Sequence, residues 1–527
     1  MSGARRGGNV VLIMVDQLAA GWLPAYGHDA VRAPHLDALA ARGVTFESAY
    51  CASPLCAPSR SALLAGRRTS RVGVYDNAAE LAAAVPTVAH HLRAAGYDTC
   101  LAGKMHFVGP DQLHGFERRL TTDVYPAGLD WTPDWTRPVG DRLPWYHSME
   151  SVLTPARTTA SMQTDYDDDV AFHSVRHIHD LARADSQRPF LLVVSFTNPH
   201  DPWETPPRYW DGYDPARIAL PQVPEIELEQ ADPPSRRLRE MSGADALELD
   251  AEQIRRARHG YYAAVSYVDE RIGEVLTALR ETGLDQDTTI AFTADHGELL
   301  GERGLWYKMS FLEPSARVPL IVVPSGEAQA AMAGARVSEP VSTLDLTATL
   351  IELAVDSQAT LAADLDGVSL AGLLGGAPGA DGSEDDPSDA RAPVICEYHA
   401  EGVTAPAAMI RSGSNKLIVC AGDPDLLYDL AADPLELTNL AEHPDYADTV
   451  SSLRRALAQE LDLDAIHRRV LVSQRERHLV AAALARGEVT PWDFQPHVDA
   501  AMQYVRNRAD LYDLQRRSRL EAEPGSN

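Results

Sequence analysis

Basic residues are scarce in this 527-residue chain. Lys and Arg number 47 against 76 Asp and Glu, a formal net charge of −29. A surface of that sign repels phosphate backbones and excludes nucleic acid as the main partner. It does not exclude a small anion, because a buried site can be locally positive inside an acidic protein. Cysteine is scarce too: Cys51, Cys56, Cys100, Cys396 and Cys420 are odd in number and scattered. That is no disulfide framework, and it reads as a reducing compartment. Apolar runs long enough to span a bilayer are missing. The run from Val10 to Val15 ends at Asp16 and is too short for a signal-peptide core. These absences imply a cytoplasmic protein without a membrane partner. The rest of the composition, 45% hydrophobic and 23% charged, supplies a real core for one large domain and a smaller one.

The pattern along the chain is strand then helix, with polar residues at the strand ends. Asn9 to Val15 reads as a central parallel strand. Pro34 to Arg42 reads as a helix stopped by Gly43. Strands follow at Tyr97–Ala102, Phe190–Phe196, Thr288–Thr293 and Val318–Val323, and helices at Asp167–Ala184, Asp250–Glu281 and Asp345–Leu353. The expected fold is α/β: a large mixed, mostly parallel sheet flanked by helices. Residues 1–374 form the expected catalytic domain and 375–392 a polar, flexible loop. Residues 393–490 hold a short antiparallel sheet and a helical pattern from Asp448 to Ala485. Residues 491–527 form a tail.

Ligands of such sheets bind at the carboxyl ends of the strands. Asp16, Gln17, His200, Asp295 and His296 fall there, and Lys104 and His106 just beyond. Ser53 to Arg67 adds a helix starting near Pro58, with Cys56 at its N-terminus and Arg60 one turn on, a place to hold an oxyanion. A lone cysteine is ordinarily an inert core residue, and either Asp alone could cap a helix after a strand. Together, Asp16, Asp295, His296 and Gln17 make a divalent metal site with hard oxygen donors suited to Ca²⁺ or Mg²⁺, and an imidazole that leaves Mn²⁺ open. Arg60, Lys104, His106, His200 and Lys308 gather positive charge near it. An acidic protein has little structural reason for that unless a tetrahedral oxyanion is bound.

Two stretches carry a resemblance. Cys56-Ala57-Pro58-Ser59-Arg60 is similar to the C-x-P-S-R signature of the sulfatase family, in the alkaline-phosphatase-like superfamily. Gly96 to His106 (GYDTCLAGKMH) is similar to that family's second signature. Within the family the chain most resembles the choline sulfatases, through Lys104–Tyr125, Gly301–Leu320 and Asp433–Leu440. The resemblance implies that Cys56 is oxidised to formylglycine by a formylglycine-generating enzyme. It implies one divalent metal, Ca²⁺ first, held by Asp16, Gln17, residue 56, Asp295 and His296. Gln17 stands where many relatives carry a second Asp, and His296 where many carry Asn. Arg60, Lys104, His106, His200 and Lys308 take catalytic roles. Trp131, His147, Ser148 and Glu397 are the implied substrate-binding residues, with a tail carboxylate falling beside Tyr512. The implied activity is hydrolysis of a small sulfate ester, by a homo-oligomer (dimer or tetramer) joined through its tail. A phosphonate monoesterase or phosphodiesterase shares the same motifs, and a binding protein that keeps the fold without turnover is the reading from another class.

Overall fold

The protein is described from a computed structural model, which covers residues 8–125, 128–184, 186, 188–355, 364–375 and 391–486. Six strands carry the main sheet: β1 (Asn9–Val15), β2 (Val44–Tyr50), β3 (Asp98–Gly103), β4 (Phe190–Ser195), β5 (Thr288–Ala294) and β6 (Arg317–Val323). Their order is β2-β6-β5-β1-β4-β3, with two- and three-residue strands along the edges. All are parallel except β6, which runs antiparallel to both β5 and β2. The sheet is therefore mixed but mostly parallel, with β1 at its centre. Val10 to Val15 are all buried, which accounts for the unbroken apolar run in place of alternation.

The register places the chemistry. Val15 pairs with Ala294, Met14 with Ser195, and Ser195 with Gly103. Asp16, Asp295 and Lys104 therefore leave the sheet at one level. Gly103 is required there: it has φ +103°, and a Cβ would lie 1.9 Å from the Ser195 carbonyl oxygen.

The principal helices are α1 (Pro34–Arg42), α2 (Cys56–Ala65), α3 (Met162–Arg183), α4 (Ala251–Glu281), α5 (Thr343–Ala354), α6 (Ala447–Glu460) and α7 (Leu463–Leu484). They pack in groups, α1 and α3 against α4, and α2 against α5. Helix α3 starts five residues before the sequence reading because Ser161 caps it, its hydroxyl accepting from Thr164 N. The helical pattern expected from Asp448 to Ala485 is two helices, broken where Asp462 caps α7 by accepting from Ala465 N.

A second, antiparallel sheet follows in the order β7 (Val394–Tyr398), β8 (Ala407–Ser412), β9 (Asn415–Cys420) and β10 (Leu426–Asp429). It joins the segment before α2 through Glu397 N, which donates to Ala52 O (3.0 Å). Most of the flexible loop expected at 375–392, and the tail at 491–527 with Tyr512, lie outside the described residues. No helix among the described residues is long and apolar enough to cross a membrane.

Candidate active site

Cys56 is the first residue of α2. Leu55 is extended and offers no side-chain cap. Asn77 supplies the missing acceptor, its Oδ1 taking Ala57 N at 2.9 Å. Every residue of α2 is buried, and Gly66 closes it in the left-handed conformation. One turn into the helix, the Arg60 guanidinium is fully buried and fully employed. Nε donates to Asp295 Oδ2 (2.7 Å), Nη2 to Asp16 Oδ2 (2.9 Å), and Nη1 to Lys104 O and Ser195 Oγ (2.7 Å each). Ser59 Oγ adds a bond to Asp295 O at 2.6 Å. Four strand ends, those of β1, β3, β4 and β5, are thereby locked to the helix that carries Cys56.

Four donors converge there. Cys56 Sγ lies 3.2 Å from His296 Nε2 and 3.8 Å from Asp16 Oδ1. His296 Nε2 lies 3.7 Å from both Asp16 Oδ1 and Asp295 Oδ1. Ligands of one divalent ion, each at about 2.0–2.5 Å, stand roughly 3–4 Å apart, so the spacing fits a metal. The charges fit as well. Burial alone would raise Asp16, and Cys56 adds to that, but Lys104 (2.5 Å) and Arg60 hold it far below the usual carboxylate range. Burial raises Asp295, and Arg60, the one arginine or lysine paired with it among the described residues, does not offset that with Asp16 alongside. Asp295 is thus the less compensated of the two carboxylates, and a cation held between it and Asp16 would offset its buried charge. Burial pushes the Cys56 thiol up, yet Lys104, Lys308 and His296 carry it well below its ordinary value.

Gln17 lies beside this cluster with its side chain committed elsewhere. Its Nε2 donates to Glu298 Oε2 (2.6 Å) and Asp201 Oδ1 (3.3 Å), and its Oε1 accepts from Lys308 Nζ (2.6 Å). Its backbone N, at φ +65°, reaches Asp295 Oδ1. Lys308 is fully buried and also meets His200 Nε2 at 2.7 Å. On the other edge of that ring, Nδ1 faces Asp201 O (2.6 Å) and Tyr125 OH (3.1 Å). A carbonyl only accepts, so Nδ1 carries the proton and Nε2 accepts a hydrogen bond from the Lys308 ammonium. Lys104 Nζ stands 4.2 Å over the Tyr125 ring. His106 is buried, with both ring nitrogens lacking a protein partner.

The expected substrate residues divide. Trp131 stacks on Trp145 (centroids 6.1 Å, planes within 6°) and meets the His106 ring edge-on at 6.4 Å. His147 lies against His200 (6.2 Å) and Tyr307 (5.0 Å), and burial, reinforced by the Lys308 charge, holds it well below its ordinary pKa. Ser148 is exposed at the start of a short helix, its Oγ facing Glu150 N. Glu397 is fully buried within β7, and both oxygens are engaged by Thr69, Ser70 and His399. The carboxylate that sequence reasoning missed is Glu401. It is buried, and one of its oxygens has no partner among the described residues. Burial, with Asp76 adding, raises it to about 7, while the Lys308 charge pulls the other way. The sequence offers two glutamates four residues apart, and no pattern in it chooses between them. Asp201 and Tyr125 also bear on the site without having been assigned roles.

The sulfatase family model matches residues 8–357, which hold every one of the converging groups around Cys56. The chain belongs to the sulfatase family. It is a sulfatase in its catalytic part, and its C-terminal part agrees: residues 468–520 match the choline sulfatase enzyme C-terminal model. A choline-sulfatase of Rhizobium meliloti is 44% identical, over 97% of this chain and 98% of that protein. An arylsulfatase of Clostridium perfringens is 27% identical over 86% of this chain and 94% of its own length. Among solved structures, the phosphonate monoester hydrolase of Agrobacterium radiobacter superposes with a TM-score of 0.66 at 27% identity, covering 87% of this chain and 96% of that one.

Proposed function

We propose that this sulfatase hydrolyses choline sulfate to choline and sulfate. The observations that carry the reading are the metal-ready cluster around Cys56 with its cations, the Trp131–Trp145 stack set against His106, and the buried Glu401 carboxyl, which senses the Lys308 charge and has one oxygen without a partner among the described residues. A sulfate head needs the first; a quaternary ammonium, which cannot donate a hydrogen bond, needs aromatic faces and a negative charge. The 44% identical choline-sulfatase supports the same substrate.

Asp16, Asp295 and His296, with residue 56, would hold a divalent metal, Ca²⁺ in our reading and Mn²⁺ or Mg²⁺ as the alternatives. Residue 56, matured from Cys to formylglycine by a formylglycine-generating enzyme, supplies an aldehyde hydrate as nucleophile, whose hydroxyl would be made more acidic beside a metal held by these residues. Arg60 orients both carboxylates and α2. Lys308 neutralises the sulfate oxygens, and Lys104, paired with Asp16, adds to the positive field around them. The proton for the leaving oxygen is the one shared between Lys308 Nζ and His200 Nε2: it passes to that oxygen from the His200 side, and the pair is left one proton short until solvent restores it. His106, free of protein partners, takes the proton whose loss releases sulfate from residue 56. Trp131, His147 and Glu401 face the ammonium head; Ser148 lies at the rim. We place the protein in the cytoplasm as a homo-oligomer joined through residues 491–527.

A phosphonate monoesterase is the second reading, favoured by the fold match to such an enzyme. Initial rates on choline sulfate, 4-nitrophenyl sulfate and a phosphonate monoester separate them. A phosphonate rate far above both sulfates refutes the choline reading. Mass spectrometry of the peptide containing Ser53–Arg60 tests the nucleophile: an unmodified thiol throughout, in protein that still hydrolyses sulfate esters, refutes the mechanism.

A further inference from the structure

The aromatic wall does not hold itself. Between residues 128 and 148 the chain has only a single 3₁₀ turn, Leu129–Trp131; Arg142 and Ser148 tie its later part to Met241 O and Tyr307 OH, while the part next to Trp131 is fixed by α7, more than three hundred residues away. Trp135 N donates to Gln474 Oε1 at 3.0 Å. Arg477 Nη1 donates to Thr132 Oγ1 at 3.2 Å, next to Trp131. The His478 ring meets Pro133 O at 3.1 Å, and His467 lies against the Trp135 ring at 5.5 Å. On its far edge, Trp135 Nε1 donates to Ala400 O at 2.8 Å, beside Glu401.

Arg477 reaches further than the wall. Its two terminal nitrogens grip Asp76 at 2.6 and 2.7 Å, and Asp76 is fully buried. Asp76 precedes Asn77, the residue that caps the N-terminus of α2 through Ala57 N. Its charge is also felt at Glu401. One guanidinium thus joins the wall, the neighbourhood of the unpartnered carboxylate and the start of the helix bearing Cys56. A bidentate arginine fixes angle as well as distance, which a lysine does not.

We propose that α7 is the positioning element of the leaving-group pocket: through Arg477, Gln474 and His478 it sets the loop that carries Trp131 and Trp145, and so sets specificity for a quaternary-ammonium alcohol. Arg477 touches neither sulfate nor the reacting atoms, so it is a positioning residue. The inference rests on the choline sulfate reading, and it differs from a plain stability clasp in what it does to two substrates. A clasp that merely holds the fold lowers turnover of both. A brace on the wall weakens only the substrate that uses the wall.

The test uses the full-length, metal-loaded protein and the variants Arg477→Met, Arg477→Lys and Gln474→Met, with Glu476→Gln, on an exposed position of α7, as control. Steady-state kinetics are measured on choline sulfate and 4-nitrophenyl sulfate, and hydrogen–deuterium exchange on peptides spanning 128–148 and 9–15. In Arg477→Met and Gln474→Met, KM for choline sulfate rises about tenfold or more with kcat largely kept, the scale of losing one or two cation–π contacts. Values for 4-nitrophenyl sulfate stay unchanged, Arg477→Lys recovers part of the loss, and exchange quickens in 128–148 but not in 9–15. Parallel losses on both substrates, or an unchanged KM with unchanged exchange, overturn the proposal. Wild-type protein that turns over 4-nitrophenyl sulfate but not choline sulfate refutes the choline reading. Exchange in 128–148 then still decides the brace, supporting it if faster in Arg477→Met and overturning it if not.

Discussion

Replacing His200 by Gln removes the ring that bridges Lys308 Nζ (2.7 Å) and the Asp201 carbonyl (2.6 Å). In the proposed mechanism that ring delivers a proton to the departing oxygen, and the size of the loss depends on how badly that oxygen needs it. Choline leaves as an aliphatic alkoxide, a strong base that departs slowly unless protonated. A nitrophenolate is stable near neutrality and leaves unaided. General acid catalysis is worth about 10²–10⁴-fold, or about 2.7–5.5 kcal/mol at the barrier. His200→Gln should therefore cost kcat/KM on choline sulfate about 10²–10⁴-fold and on 4-nitrophenyl sulfate less than about tenfold. Gln fills similar space and can still accept from Lys308, which keeps the local packing. Lys308→Met is the companion variant. It removes charge from the sulfate end and also the proton shared with His200, so it should depress both substrates, choline sulfate the more. The assay is initial rate against substrate concentration for both esters, with melting temperature measured on each variant to show that the fold is retained. Equal losses on the two esters for His200→Gln would refute the assignment, because a group that only shapes the site has no reason to sense the leaving group.

Three further outcomes are expected. Arg60→Met leaves Asp16 and Asp295 buried without their shared cation; breaking such a pair costs about 3–5 kcal/mol, so the melting temperature should fall by several degrees, and an unchanged melting curve would contradict the role of Arg60 as the lock between α2 and the strand ends. Asp167, fully buried and accepting from Thr197 N and Asn198 N, is pushed by burial up to about 7. The native state therefore keeps a proton that the unfolded chain releases near pH 4, so this stabilisation is complete below about pH 4 and is lost as pH rises towards 7, by up to about 1.4 kcal/mol per unit. Denaturation midpoints from pH 4 to 8 should show a slope that is shallower in Asp167→Asn. Chelation of divalent ions should abolish turnover, with recovery on adding Ca²⁺, Mn²⁺ or Mg²⁺ separately; full activity in chelated protein would exclude a metal at Asp16, Asp295 and His296.

The strands were legible because burial on both faces leaves unbroken apolar runs, as in Val10–Val15, and the strand ends were legible because polar residues interrupt them at Asp16 and Asp295. The antiparallel direction of β6 was not legible: Arg317–Val323 is as apolar as its parallel neighbours, and direction depends on the connection, not on composition. The core of the site could be located because short-range motifs mark it. The leaving-group side could not be read as far. Glu397 and Glu401 flank the end of one strand, and which of them is tied up depends on Thr69, Ser70 and His399, whose approach only the tertiary fold decides. Arg477 is invisible for the same reason, since its partners lie 345 and 401 positions away.

Gln17 explains how a centre this rich in carboxylates can still receive an anion. Lys308 Nζ meets two neutral acceptors, Gln17 Oε1 and His200 Nε2. A carboxylate at position 17 would pair with that ammonium and spend its charge inside the protein. The amide holds Lys308 in place with a hydrogen bond and leaves the charge for the substrate. Glu298 then has a structural reason to be buried: it accepts from Gln17 Nε2 and from Leu300 N and Tyr307 N, fixing the amide the right way round and tying the Lys308 segment to it. Burial raises Glu298 to about 7, so near neutrality its negative charge is only partial. Lys104 does the reverse, bound to Asp16 at 2.5 Å, so the two lysines are not equivalent. In this arrangement Lys104 sets the ionisation of a metal ligand while Lys308 is the cation held ready for sulfate, and Gln17→Asp should weaken the binding of sulfate esters more than any change at residue 104 that keeps its charge.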